Sequence, residues 1–116
     1  MSNTNHLAIE HQAKEIIGDL FEALPATANA FSKLQQATFT KGALDVKTKE
    51  IIALGIAIAQ GCDGCMAWHN AALHKLNVSR AEIAEIAGVA VEMGGGVALY
   101  SAAKALAGFD DFGAPD

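Results

Sequence analysis

No apolar run in this chain is long enough to cross a bilayer. The longest, Ile51 to Ala59, falls well short of the roughly 20 residues a spanning helix needs, and reads instead as a helix that is apolar on all sides and buried all round. Basic residues are also sparse: eight Lys and Arg are scattered against thirteen Asp and Glu, for a net charge of −5. That leaves no electrostatic footprint for a phosphate backbone and excludes nucleic acid as a partner. No segment alternates in the manner of a strand, and no fixed-period repeat is present. The stretch from Met1 to Gln12 lacks the basic and apolar regions of a signal peptide, so a cytoplasmic location is expected. Cysteine is limited to two residues, Cys62 and Cys65. In the cytoplasm such a C-x-x-C pair is more often catalytic or metal-binding than structural.

What remains is an apolar, helix-forming chain. Its 116 residues amount to one domain, 1–116, with a core at about 42–107 and a loose acidic tail at 108–116. Apolar residues make up 52% and mean hydropathy is +0.25. In a chain with no membrane span, that excess points to subunit interfaces and a homo-oligomer.

Periodicity and capping residues predict about six helices and an all-α bundle. Ala13, Ile16, Ile17, Leu20, Phe21 and Leu24 recur at steps of three and four, giving a first helix over 7–24. Pro25 suits the first position of a second, which runs to about Phe39 and carries Phe31 and Leu34. These two are expected to pack over the hairpin that follows. Asp45 can cap a third helix ending near Gln60. A fourth, from about Asp63 to Leu76, would turn Cys65, His69, Ala72, Leu73 and Leu76 inward and stop at a left-handed Asn77. Ser79 and Glu82 form a capping box for a fifth, with Ile83, Ile86, Ala87, Ala90 and Val91 as its inner face. Gly94-Gly95-Gly96 separates it from a sixth helix at about 97–107, whose alanines permit close approach. No strand precedes these glycines and no Lys-Ser/Thr follows, so a helix-to-helix turn is expected rather than a phosphate loop. His6 and His11 fall on the first helix and His74 off the inner face of the fourth; all three read as surface residues.

The chemistry-bearing residues gather in one stretch. Cys62, Cys65 and His69 follow the pattern C-x-x-C-x-x-x-H, and Cys65 and His69 lie one turn apart on a helix face. Cys62 falls at the helix entrance, where free amides and the helix dipole favour the thiolate and lower its pKa from about 8.5. If the third helix turns back at Gly61, Glu50 comes level with residue 72 or 73, within a turn of His69. A carboxylate, imidazole and thiol can then form a relay. Three other readings compete: a zinc site of Cys62, Cys65 and His69 with Glu50 or His74, buried packing cysteines, and a Glu50 that merely complements the helix dipole. Trp68 packs in the core or at a subunit contact, or walls the approach to the thiols. Haem attachment is excluded, because Met66 rather than His follows Cys65.

Gly42-Ala43-Leu44-Asp45, Lys47-Thr48-Lys49-Glu50, the C-x-x-C-x-x-x-H set and Met93-Gly94-Gly95-Gly96 together resemble the carboxymuconolactone decarboxylase superfamily, specifically its alkylhydroperoxidase D-like branch. The resemblance spans about 42–107. It implies a helical bundle assembled as a trimer or hexamer, no cofactor, and a site formed by Glu50, Cys62, Cys65 and His69. The implied activity is that of a peroxidase or thiol–disulfide oxidoreductase. A small peroxide or disulfide would be the substrate, and an external dithiol of lipoyl or thioredoxin type the reductant. Cys65 would attack the peroxide and Cys62 would resolve; the helix-entrance argument instead makes Cys62 the more acidic thiol. Gly64 stands where the branch's best-studied type has a second histidine. The decarboxylases that name the superfamily share the fold without the cysteine pair, so a cofactor-free decarboxylase or lactone-processing activity is the third alternative, beside a metal-binding or redox-sensing module.

Overall fold

Local hydrogen bonding sets the limits of every helix around the central hairpin. The computed structural model describes residues 5–113, and among these the chain forms six helices and no strand: α1 (His6–Ala23), α2 (Pro25–Thr38), α3 (Val46–Gln60), α4 (Asp63–Lys75), α5 (Arg80–Gly94) and α6 (Gly96–Phe112). Helix α3 starts where the Asp45 carboxylate accepts the Thr48 amide at 2.8 Å. It ends in a Schellman turn: Gly61 takes φ +69°, its amide bonds to Ile58 O, and the Cys62 amide bonds back to Ala57 O. Helix α4 ends the same way. Asn77 takes φ 63°, and the amides of Asn77 and Val78 bond to His74 O and Leu73 O. Both halves of the Ser79–Glu82 capping box are formed at the start of α5.

Helices α3 and α4 form an antiparallel hairpin, α5 and α6 a second, and the two pack on each other. Leu54, Ile58, Met66, Leu73 and Ile83 are fully buried between them. The alanines of α6 do what small residues permit: Ala98, Ala102 and Ala105 are buried and bring that helix close to its neighbours. Helix α1 lies against α4 and α6, while α2 packs mainly on α1 and buries none of its residues.

Several expectations are corrected. Helix α6 continues to Phe112, with Gly108 and Phe109 buried, where a loose tail from Gly108 was expected; residues 114–116 of that tail, like 1–4 of the N-terminal stretch, lie outside the described residues. Helix α3 is not buried all round, since Ile52 and Ile56 are about half exposed in the single chain. Its outer side, with α5, forms an apolar groove. On α4 the fully enclosed residues are Met66, Ala67, Asn70, Ala71 and Leu73, a face rotated from the expected one. Leu76 is largely outside it.

His6 overturns its surface reading most plainly. Its ring is fully buried against α4 and α6, where Asn70 Nδ2 donates to its Nδ1 at 2.8 Å and its backbone amide donates to Asp111 Oδ2 at 2.9 Å. Asn70 Nδ2 also donates to Ala105 O at 3.0 Å. The ring fits only because residue 108 is glycine: a Cβ there would fall 2.3 Å from it. His74 is likewise partly covered, its ring between Phe109 and Phe112. His11 is exposed as expected.

Candidate functional site

The turn between α3 and α4 holds Cys62 at every polar atom. As the residue after Gly61 it closes the Schellman turn with its amide, and as the N-cap of α4 it accepts the Cys65 amide on Sγ at 3.2 Å and the Met66 amide on its carbonyl at 2.9 Å. One residue thus ends one helix and starts the next, which leaves its side chain little freedom. Cys65 lies one turn into α4, and the two sulfurs are joined in a disulfide across a Cα–Cα distance of 5.2 Å. Both residues are partly exposed.

Glu50 and His69 face each other across the same hairpin. The His69 Nδ1 to Glu50 Oε1 distance is 2.6 Å, and the two side chains are only 17% and 11% exposed. A neutral imidazole that donates Nδ1–H to the carboxylate keeps the lone pair on Nε2 and can accept a proton there. The carboxylate also stabilises the imidazolium that would result. Hydrogen bonds formed with so little competing water are stronger than their surface counterparts.

Two residues that sequence reasoning passed over complete this arrangement. The Phe39 ring covers the imidazole, with centroids 5.9 Å apart. Its backbone is clamped from α3, where the Lys49 ammonium donates to Thr38 O at 2.8 Å and Thr40 O at 2.6 Å, on either side of Phe39. Lys49 therefore satisfies carbonyls that the end of α2 leaves open. Its place directly before Glu50 was visible in the sequence; the backbone it reaches was not.

The cysteines and His69 open into a cavity of about 440 Å³ walled by Ile17 and Phe21 of α1, Phe31 of α2 and Trp68 of α4. Trp68 thus walls the approach to the sulfurs and is 37% exposed. Phe21 and Phe31 pack edge to face at 6.2 Å, and α2 contributes to the site through this wall although it buries nothing of its own. A larger groove of about 600 Å³, between α3 and α5, is lined by Ile52, Ile56, Val89 and Met93 and contains no nucleophile. The cysteines and His69 line the smaller cavity.

Charge near the site is arranged rather than scattered. Asp63, between the cysteines, pairs with Lys104 of α6 at 2.7 Å. His6 lies within reach of both charges; burial lowers its pKa from the ordinary 6.5, opposed by Asp111 and Asp63. Among the described residues, no three His, Cys, Asp or Glu side chains are grouped as ligands for a metal ion. His74, considered above as a fourth ligand, instead sits among the aromatic rings at the end of α6.

Comparison with known proteins agrees with the fold. The carboxymuconolactone decarboxylase family model matches residues 25–108, from the start of α2 to within α6. An uncharacterized protein of Cupriavidus necator is 38% identical over 93 residues, 80% of this chain and 82% of its own length. Uncharacterized protein 4 in the cox locus of Paracoccus denitrificans is 33% identical over 100 residues, 86% and 90% of the two chains. The apo crystal structure of a carboxymuconolactone decarboxylase family protein from Legionella pneumophila superposes with a TM-score of 0.87 at 40% identity, covering 92% of this chain and 96% of that one. With its six helices in the same arrangement and most of its length matched, this chain belongs to the carboxymuconolactone decarboxylase family.

Proposed function

We propose that the protein is a thiol-dependent oxidoreductase of the alkylhydroperoxidase D-like branch, a peroxidase or disulfide reductase that cycles Cys62 and Cys65 between dithiol and disulfide. The observation that carries this reading is the bonded pair at the N-terminus of α4, set beside the Glu50–His69 hydrogen bond and opening with His69 into one apolar cavity. Packing cysteines would need neither that opening nor an acid–base pair beside it.

In the reduced protein, His69 Nε2 takes the proton of one thiol while Glu50 stabilises the imidazolium. The thiolate attacks the peroxide, cleaves its O–O bond and becomes a sulfenic acid; the released alkoxide takes the proton from His69 and leaves as an alcohol. The second thiol then displaces hydroxide from the sulfenic acid, forming the Cys62–Cys65 bond and releasing water. An external dithiol, of lipoyl or thioredoxin type, attacks the disulfide and leaves as its own disulfide, returning two thiols. Cys65, one turn from His69, is the attacking residue in this scheme, and Cys62 resolves and exchanges with the reductant. The Cys65 amide that points at Cys62 Sγ also stabilises a thiolate at Cys62, which suits it to leave when an exchange goes in the other direction. Gly64 supplies no second imidazole, so proton transfer rests on His69.

The protein is further proposed to work in the cytoplasm as a homo-oligomer, a trimer or hexamer. Ile52, Ile56, Val89 and Met93, exposed in the single chain, lie together along one apolar groove.

The test is peroxide consumption, and separately disulfide reduction, by the purified protein with a lipoyl-type dithiol. Both activities should vanish in Cys62→Ser and in Cys65→Ser. Decarboxylation or lactone processing that persists without either cysteine would replace this reading with the cofactor-free one.

A further inference from the structure

The four-residue loop closed by the disulfide carries a charge that opposes its reduction. Asp63 lies between the two cysteines in sequence, inside the loop that the disulfide closes. Reduction by an external dithiol breaks the Cys62–Cys65 bond, takes up two electrons and leaves one sulfur as thiol and the other as thiolate; the dithiol becomes a disulfide and releases one proton. A carboxylate beside the new thiolate disfavours the reduced state, against the helix dipole that favours it.

Lys104 cancels that charge. Its ammonium lies 2.7 Å from Asp63 Oδ1, and its side chain is only 12% exposed. The Tyr100 ring, with its centroid 4.9 Å from the ammonium, holds it in place. The Asp63 carboxylate is 43% exposed, so solvent screens the pair in part and bounds the field it exerts on the sulfurs. His6 and Asp111 face the Asp63–Lys104 pair, while Lys14 and the Glu50–His69 pair lie on the cavity side of the cysteines. Above pH 7 the buried His6 is neutral, and Asp63, Lys104 and Asp111 are the charges on the α6 side.

We infer that the Asp63–Lys104 pair sets the reduction potential of the Cys62–Cys65 disulfide, with Lys104 of α6 as the residue that keeps the reduced state accessible. The inference rests on the redox reading above and adds a tuning element outside the Glu50, Cys62, Cys65 and His69 set. Lys104 acts through Asp63 and touches neither sulfur nor substrate.

The experiment is a glutathione redox titration at pH 8.5, where an ordinary cysteine is about half thiolate. It compares the parent protein with Lys104→Met, Asp63→Asn, their combination and Lys104→Arg. Lys104→Met leaves the carboxylate uncompensated and lowers the potential. Asp63→Asn leaves the ammonium uncompensated and raises it. Each shift is up to about tenfold in the equilibrium constant, which corresponds to about 30 mV. The double variant returns toward the parent, and Lys104→Arg stays there. Lost packing alone cannot produce two shifts of opposite sign that cancel when combined. Shifts of the same sign, or none, overturn the inference while the redox reading stands. If the parent disulfide itself fails to reduce and reform reversibly, the redox reading falls and this inference with it.

Discussion

Glu50 and His69 are separated by 19 positions yet meet at 2.6 Å. The left-handed Gly61 between them sets both helix termini at once: its Schellman turn ends α3 and places Cys62 as the cap of α4. The acid–base pair and the disulfide are therefore products of the same turn. A helix of ordinary pitch rises about 1.5 Å per residue, so Glu50 lies two to three turns from the hairpin bend and reaches His69 only because the two helices run antiparallel.

If Glu50 and His69 move one proton in sequence, Glu50→Gln and His69→Gln should each reduce turnover by about 10²- to 10⁴-fold. The double variant should lose little more than the worse single one, since members of one relay are not additive. Neither change removes apolar volume, so both proteins should keep the helical content of the parent by circular dichroism. Rates equal to the parent in both single variants would reduce Glu50 to a helix-start charge.

The α3–α5 groove is the expected subunit contact. Ile56 is 52% and Val89 64% exposed there in the single chain. Sedimentation at micromolar concentration should give a mass several times 12.0 kDa for the parent. Ile56→Glu and Val89→Glu should shift it toward that single-chain value without loss of helix, because a carboxylate buried at an interface costs several kcal/mol. A parent that sediments as a single chain would contradict the assembly.

Local signals were legible in the sequence and long-range ones were not. Asp45, Asn77 and the Ser79–Glu82 box each act within four residues, so the helix limits they set could be read directly and stand in the structure. Glu50 and His69 were placed together because a hairpin has simple geometry. His6 gave no such signal: its partners Asn70 and Asp111 lie 64 and 105 positions away. The same holds for Gly108, whose missing side chain makes room for that ring, and for Phe39, which α2 brings over His69 without burying a residue of its own. Residues 51–59 of α3 are apolar on all sides, which predicts burial all round, yet the single chain leaves Ile52 and Ile56 about half exposed.

Gly108→Ala should be destabilising despite replacing glycine by the best helix former. The propensity gain is at most about 1 kcal/mol. A Cβ 2.3 Å from the His6 ring forces α1 away from α6, and overpacking of this kind typically costs about 1–3 kcal/mol. With His6→Ala in the background the ring is gone, and the same Gly108→Ala change should become neutral or stabilising. Denaturant unfolding of the four proteins in this cycle measures the coupling, and equal effects of Gly108→Ala in both backgrounds would show that His6 does not occupy the space.

Acidification should loosen the attachment of α1 through the same histidine. Burial lowers the His6 pKa below its ordinary 6.5, with Asp111 and Asp63 opposing the shift and Lys104 adding to it. A base with a depressed folded pKa is protonated first in the unfolded chain. Its stabilising contribution is complete above pH 6.5 and is lost as pH falls from there through the lower folded value. Protonation also turns Nδ1 from acceptor to donor, opposite the Asn70 amide that already donates to it. Unfolding free energy should therefore fall more steeply in the parent, as pH drops below 6.5, than in His6→Gln, whose side chain does not titrate. Since α1 walls the cavity at Cys62 and Cys65, Trp68 fluorescence should change over the same interval in the parent alone. Parallel stability curves for the two proteins would remove His6 as the group responsible.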